Sequence, residues 1–108
     1  MLSPTEKECL SLCQECAMAC LQCARACLQE EGATSMARCI TQNLACADVC
    51  QLAANAIARG DEHRTATCAL CAQVCQTCAT ECSQHSMDHC QRCTQACQRC
   101  AQACQNMA

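Results

Sequence analysis

The chain has no phenylalanine, tyrosine or tryptophan, two glycines and one proline. Without aromatic rings nothing large is available to fill a core, and no platform exists on which nucleic-acid bases could stack. Seven Lys and Arg against ten Asp and Glu leave a formal charge of −3 with both signs scattered, so there is no basic stripe and no nucleic-acid partner is expected. No apolar run approaches the roughly 20 residues that cross a bilayer, which excludes a helical membrane anchor. The first residues, Met1-Leu2-Ser3-Pro4-Thr5-Glu6, lack the basic and apolar regions of a secretory signal, and a cytoplasmic protein is expected. In that reducing compartment cysteines stay thiols or bind metal. Cysteine is what the chain does have: 19 of 108 residues, far outside ordinary usage. The odd number means that at least one cannot pair within the chain.

The length suits one domain, 1–108, with a modest core. The few glycines and the proline sit where helices should start or stop. Ser3-Pro4-Thr5-Glu6 reads as a helix start, with Ser at the N-cap, Pro at the first helical position and Glu closing a capping box. Gly32 and Gly60 read as C-terminal stops, and Asp61 and Ser86 as N-caps for the segments that follow. Helices are therefore expected near 4–31, 35–59, 62–84 and 87–106. The short breaks make consecutive helices antiparallel neighbours.

The cysteines declare the period. They are Cys9, Cys13, Cys16, Cys20, Cys23 and Cys27 in the first segment, and Cys39, Cys46 and Cys50 in the second. The third carries Cys68, Cys71, Cys75, Cys78 and Cys82, and the fourth Cys90, Cys93, Cys97, Cys100 and Cys104. Steps of three and four form the stripe that a bundle helix turns toward its partners, whereas a strand would repeat every two. The second segment keeps register with Met36, Asn43, Ala53 and Ile57 among its cysteines. The expectation is an all-α fold, an antiparallel up-down-up-down four-helix bundle with a cysteine-lined core. Cys71-Ala-Gln-Val-Cys75-Gln-Thr-Cys78 and Cys93-Thr-Gln-Ala-Cys97-Gln-Arg-Cys100 also resemble each other, by duplication or by convergence on one seam.

A core lined this way needs a chemical reason. Cysteine is smaller than leucine, and an underfilled core costs stability, about 2–5 kcal/mol for a single buried Leu→Ala truncation. An axis left empty along a whole bundle makes sense if something occupies it. Residues three or four apart on a helix have Cβ atoms about 5–6 Å apart, beyond the roughly 3.5–4.5 Å of a disulfide. Bridges between helices remain open as an alternative, a disulfide-bridged structural or redox-buffer protein. Soft thiolates select Cu(I), Zn(II) or iron–sulfur clusters. No Lys or Arg lies within the cysteine stripes to offset ionised sulfur. A tetrahedral zinc on four terminal thiolates carries a net −2, and stacking several such sites in a buried tube is costly. Cu(I) is content with two or three sulfurs, and thiolates bridging two ions bring the column close to neutrality at one copper per cysteine. Multiple Cu(I) ions are thus the expected cargo, with a zinc buffer as the nearer rival. Ferredoxin spacing, di-iron Glu/His motifs and a mixed α/β redox pattern are all missing, and no catalytic residue is expected.

One end of the bundle gathers Met36, His85, Met87 and His89, and His85 continues the run Cys75, Cys78, Cys82. Imidazole and thioether both suit Cu(I), so a copper mouth with His85, His89 and Met36 as ligands is expected there, with His85 and His89 as decoration of a solvated turn as the alternative. Leu2, Ala53 and Ile57 mark the other end as an apolar plug, and His63 reads as surface. Asn43, buried in a seam, must be hydrogen-bonded or bound. Ile40 with Leu44, and Leu70 with Val74, lie off the cysteine stripes, as helix packing or as a subunit interface.

With these residues in view, the chain resembles the copper storage protein family, in particular its cytosolic branch. The resemblance covers the whole chain: six cysteines in Cys9–Cys27, three in Cys39–Cys50, five in each of the last two helices, and the His85-Ser-Met-Asp-His89-Cys90 turn. It implies a homotetramer of bundles in the bacterial cytosol, Cu(I) taken up through a polar end with histidine at its mouth, exchange with Cu(I) donors and acceptors, and no catalysis.

Overall fold

The computed structural model describes residues 1–108. Four helices account for the fold: α1 (Pro4–Leu28), α2 (Ala37–Ala58), α3 (Arg64–Ser83) and α4 (Asp88–Gln105), with a single 3-10 turn, Ala33–Met36, leading into α2. Helix α1 packs on α2 and α4, and α3 packs on the same two, while α1 and α3, like α2 and α4, face each other only across the axis. The result is an up-down-up-down bundle measuring 46 × 17 × 17 Å.

The helix ends follow local chemistry. Glu6 N–H donates to Ser3 Oγ at 3.1 Å and Ser3 N–H to Glu6 Oε1 at 2.9 Å, a complete capping box with Pro4 in the first turn. Gly60, at φ 63°, ends α2 as expected. Its N–H reaches Ile57 O and that of Asp61 reaches Ala56 O, a Schellman closure that only a left-handed residue completes without strain. Other boundaries differ from the sequence reading. Helix α1 stops at Leu28, not at 31, and Gly32 (φ 71°) opens the 3-10 turn, its carbonyl taken by the Ser35 N–H and hydroxyl. Helix α2 consequently begins at Ala37. Asp61 does not cap α3: its carboxylate accepts the His63 N–H at 2.7 Å and holds a turn outside the helix, which starts at Arg64. Ser86 makes no cap either, and extended Met87 precedes α4 without a side-chain bond.

All nineteen cysteines are buried, none more than 2% exposed. Beside them lie alanines, among them Ala17, Ala47, Ala54, Ala72, Ala79 and Ala101. With mostly methyls and thiols between neighbouring helices, the backbones come close enough for sulfurs on different helices to touch. The only fully buried side chains larger than cysteine are Ile57 and Asn43. Burial is worth about 0.8 kcal/mol per CH₂, so such small side chains hold the bundle thinly. Exposed ion pairs such as Arg99–Glu15 (3.0 Å) and Arg92–Asp88 (3.5 Å) add at most about 1 kcal/mol each.

Candidate metal core

Each helix contributes its stripe to one column of sulfur. Between neighbouring helices, Cys46 and Cys50 Sγ both lie 3.6 Å from Cys75, Cys39 lies 3.6 Å from Cys82, and Cys16 lies 3.7 Å from Cys97. Along a helix, Cys46–Cys50 are 3.9 Å apart and Cys16–Cys20 4.0 Å. Near the other end, Cys13 is 3.7 Å from Cys100 and Cys9 3.7 Å from Cys104, with Cys68 buried beside them. These are free thiols at contact distance, well beyond the roughly 2.05 Å of a disulfide.

The spacing suits a metal. With metal–sulfur bonds of about 2.3 Å, a trigonal site sets its sulfurs about 4 Å apart and a tetrahedral one slightly less. Cys13, Cys71, Cys100 and Cys104 all have Sγ atoms within 4.8 Å of one another, and so do Cys20, Cys78, Cys93 and Cys97. Sets also overlap: Cys16 and Cys46 belong to one group with Cys50 and Cys75 and to another with Cys20 and Cys97. Shared corners are what bridging thiolates require. Distance alone does not choose between zinc and copper. Charge does, because no Lys or Arg is buried with the sulfurs.

Without metal, Cys27, Cys39 and Cys90 at the histidine end are held protonated. Burial first, with repulsion from neighbouring cysteines behind it, pushes Cys27, Cys39 and Cys90 up to about 12 from an ordinary 9.0, at Cys39 against a bond to Cys82 that pulls the other way. An incoming cation must therefore displace protons.

Asn43 interrupts the sulfur of α2 and replaces it with an amide. Its Oδ1 accepts from Cys78 and Cys93 at 3.2 Å and from Cys82 at 3.4 Å, while Nδ2 donates to Cys39 at 3.7 Å. The buried amide is satisfied entirely by thiols.

The four residues singled out at or near the histidine end separate. His89 turns its Nδ1 toward Cys90 (3.5 Å), Cys23 (3.6 Å) and Cys27 (3.9 Å) and its Nε2 to Glu30 at 2.9 Å. Burial works against its charge, but the bonds to Cys23 and Glu30 prevail and its pKa is raised. His85 does not reach sulfur: its Nε2 meets Glu81 at 2.8 Å, and Glu81 also holds Arg38 at 3.2 Å. Met36 is buried in the same core as the cysteines. Met87 is partly buried against it. His63 is exposed at the far end. Sequence reasoning missed Glu30 and Glu81. Glu81 was findable as the i−4 neighbour of His85, whereas Glu30 meets His89 across 59 residues and leaves no local signal. Leu44 and Leu70 are about half exposed, while Ile40 and Val74 lean on the core.

Comparison with known proteins converges on one description. The family described as copper storage protein matches residues 3–108. The Cu(I)-bound copper storage protein BsCsp3 superposes with a TM-score of 0.92 at 39% identity, over 96% of this chain and 98% of that one. Apo copper storage protein 3 from Bacillus subtilis gives 0.88 at 39%, over 94% and 97%. A cytosolic copper storage protein from Streptomyces lividans, in a structure with five coppers, gives 0.92 at 37%, over 95% and 91%. No curated protein sequence matches the chain.

Proposed function

The chain belongs to the copper storage protein family, and from that premise we propose that it stores and buffers Cu(I) in the cytosol on the thiolates of a single domain, residues 1–108. The observation that carries this reading is the column of buried free thiols, with neighbouring sulfurs 3.6–4.0 Å apart and no Lys or Arg buried among them. Each Cu(I) takes two or three of the nineteen cysteines and each thiolate bridges two ions, so charge balances along the axis. Every copper bound releases thiol protons, and affinity rises with pH. Nothing in this scheme turns over a substrate, so the protein acts as a store and not as an enzyme.

At the polar end we assign His89 and Met36 as further ligands that receive copper, with His85 on the rim, tied to Glu81. The support is the set of three sulfurs around His89 Nδ1. Copper arrives from and leaves to Cu(I) donors and acceptors through this end. The half-exposed leucines Leu44 and Leu70 support assembly into a homo-oligomer, with a tetramer as the proposed state. Light scattering checks that number.

The test of storage is an anaerobic titration of the fully reduced protein with Cu(I) against a competing chelator, with thiols counted alongside. Tight uptake to about one copper per cysteine is expected. The compact four-sulfur sets also fit tetrahedral zinc. Displacement of copper by zinc, or saturation at a few ions, would favour the zinc buffer. A mostly oxidised thiol count in protein freshly prepared from cytosol would favour a disulfide-bridged redox buffer.

A further inference from the structure

Glu30 stands in the turn beyond α1, 37% exposed, and reaches across to His89 in the first turn of α4, 15% exposed. Its Oε1 lies 2.9 Å from Nε2 of that ring. A carboxylate oxygen accepts hydrogen bonds and has no proton to give, so the one proton of a neutral imidazole belongs on Nε2. The other nitrogen is then a bare lone pair, 3.5 Å from Cys90 and 3.6 Å from Cys23. The second histidine at this end serves as a contrast. His85 also meets a carboxylate through Nε2, but no thiol lies against its ring, and its partner Glu81 is shared with Arg38. A histidine–carboxylate pair at this end is therefore not enough to aim a lone pair at sulfur. Glu30 and the position of His89 above Cys90 do so together.

We propose that Glu30 is the positioning residue of copper uptake: it fixes His89 as the Nε2–H tautomer and aims Nδ1 at Cys23, Cys27 and Cys90. In its neutral form the ring can then take a Cu(I) ion through Nδ1 without losing a further proton, and pass it to thiols whose own protons leave to solvent. A histidine held by an outer carboxylate binds metal better because the ring is already oriented and more basic, and loss of such a partner typically costs about 10–100-fold in metal affinity or activity. This inference rests on the copper-storage reading, but its first measurement does not need copper.

The experiment compares wild type, Glu30→Ala and Glu30→Gln as full chains, after thermal melts show that all three fold. In the apo proteins, at a pH high enough to keep the ring neutral, nitrogen-15 NMR of the imidazoles reads the tautomer of His89. Wild type should show a single Nε2–H form with a slowly exchanging proton. Glu30→Ala should show mixed tautomers and a fast-exchanging proton. Glu30→Gln retains an accepting oxygen and should recover the wild-type pattern. Stopped-flow transfer of the first equivalent from a Cu(I)–chelator complex should be about tenfold slower in Glu30→Ala, restored in Glu30→Gln, and the final copper number should be equal in all three. An Nδ1–H tautomer in wild type would overturn the proposal. So would unchanged tautomer and rate in Glu30→Ala, or a Glu30→Gln variant that behaves like Glu30→Ala. Failure of wild type to load copper would overturn the storage reading instead, and the apo tautomer would still decide whether Glu30 sets the ring.

Discussion

At one end of the bundle Ile57 and Ala53 close the axis with no exposure at all, and Leu2 and Met107 lean on the core from the termini. At the other the axis ends on His89, 15% exposed, above Cys23, Cys27 and Cys90. The closed end spends its volume on hydrocarbon and is further tied by Arg64 to Glu6 at 3.2 Å. The histidine end spends its volume on ligands, an amide and two histidine–carboxylate pairs. Between them runs a column that belongs to neither, too small in side chains to hold the bundle firmly and too rich in sulfur to be hydrocarbon. The contrast teaches that stability and access are kept apart along one axis.

The largest effect should come from filling the column, which ought to erase the difference between the ends. A site with free Cu(I) at 1,000 times its dissociation constant adds about 4 kcal/mol, and each kcal/mol moves the melting temperature of a domain this size by about 4–8 °C. Several ions should raise melting by tens of degrees, and a Cu(I) chelator should reverse it. An unchanged melting curve would mean that metal does not supply what the core lacks. Next comes a substitution at each end. Ile57→Ala should cost about 2–4 kcal/mol in denaturant unfolding of the apo protein while leaving the rate of copper uptake unaltered. His89→Ala should do the reverse, changing stability by less than about 1 kcal/mol and slowing uptake about tenfold. If both variants alter both quantities, the ends are not separate.

A pH series sharpens the same contrast. Cys27, Cys39 and Cys90 sit at about 12 in the folded apo protein against an ordinary 9.0, so the folded state binds more protons than the unfolded state between those values. Their contribution to apo stability is complete below pH 9 and is lost as pH rises toward 12. Chemical unfolding at successive pH values should show that decline, while copper affinity measured by chelator competition rises over the same range. The smallest effect is expected from His85→Ala. Its partner Glu81 keeps Arg38, so stability should shift by less than about 1 kcal/mol and uptake should not change.

The period of the cysteines made the bundle and its sulfur axis legible, because steps of three and four admit no other regular backbone. Copper followed from counting charges on that axis. The two histidines were not separable by the same means. His85 extends the run Cys75, Cys78, Cys82 on paper, but α3 ends at Ser83, and beyond that residue the helical period no longer says where a side chain points. His89 lies within α4, where the period holds, and its ring returns to the sulfurs. Asp61 and Ser86 misled for a related reason. Each is a good cap by type, yet Asp61 is occupied by the His63 N–H and extended Met87 stands where Ser86 was expected to cap. The role of Asn43 needed the third and fourth helices in place, since its oxygen is shared by thiols 35, 39 and 50 residues away.

The sulfurs already stand 3.6–4.0 Å apart before any metal arrives, and a bridged trigonal site asks for about 4 Å. Filling the column should then need only shifts of a few tenths of an ångström, taken up by thiol rotation, and the outer faces of the helices should stay where they are. A full molecule and an empty one then look alike from the flank. It is a reservoir with no gauge on its wall. A partner that docks on the side learns nothing about how much copper is inside, and the level can be sensed only at the rim, through whether a soft ligand there is still free.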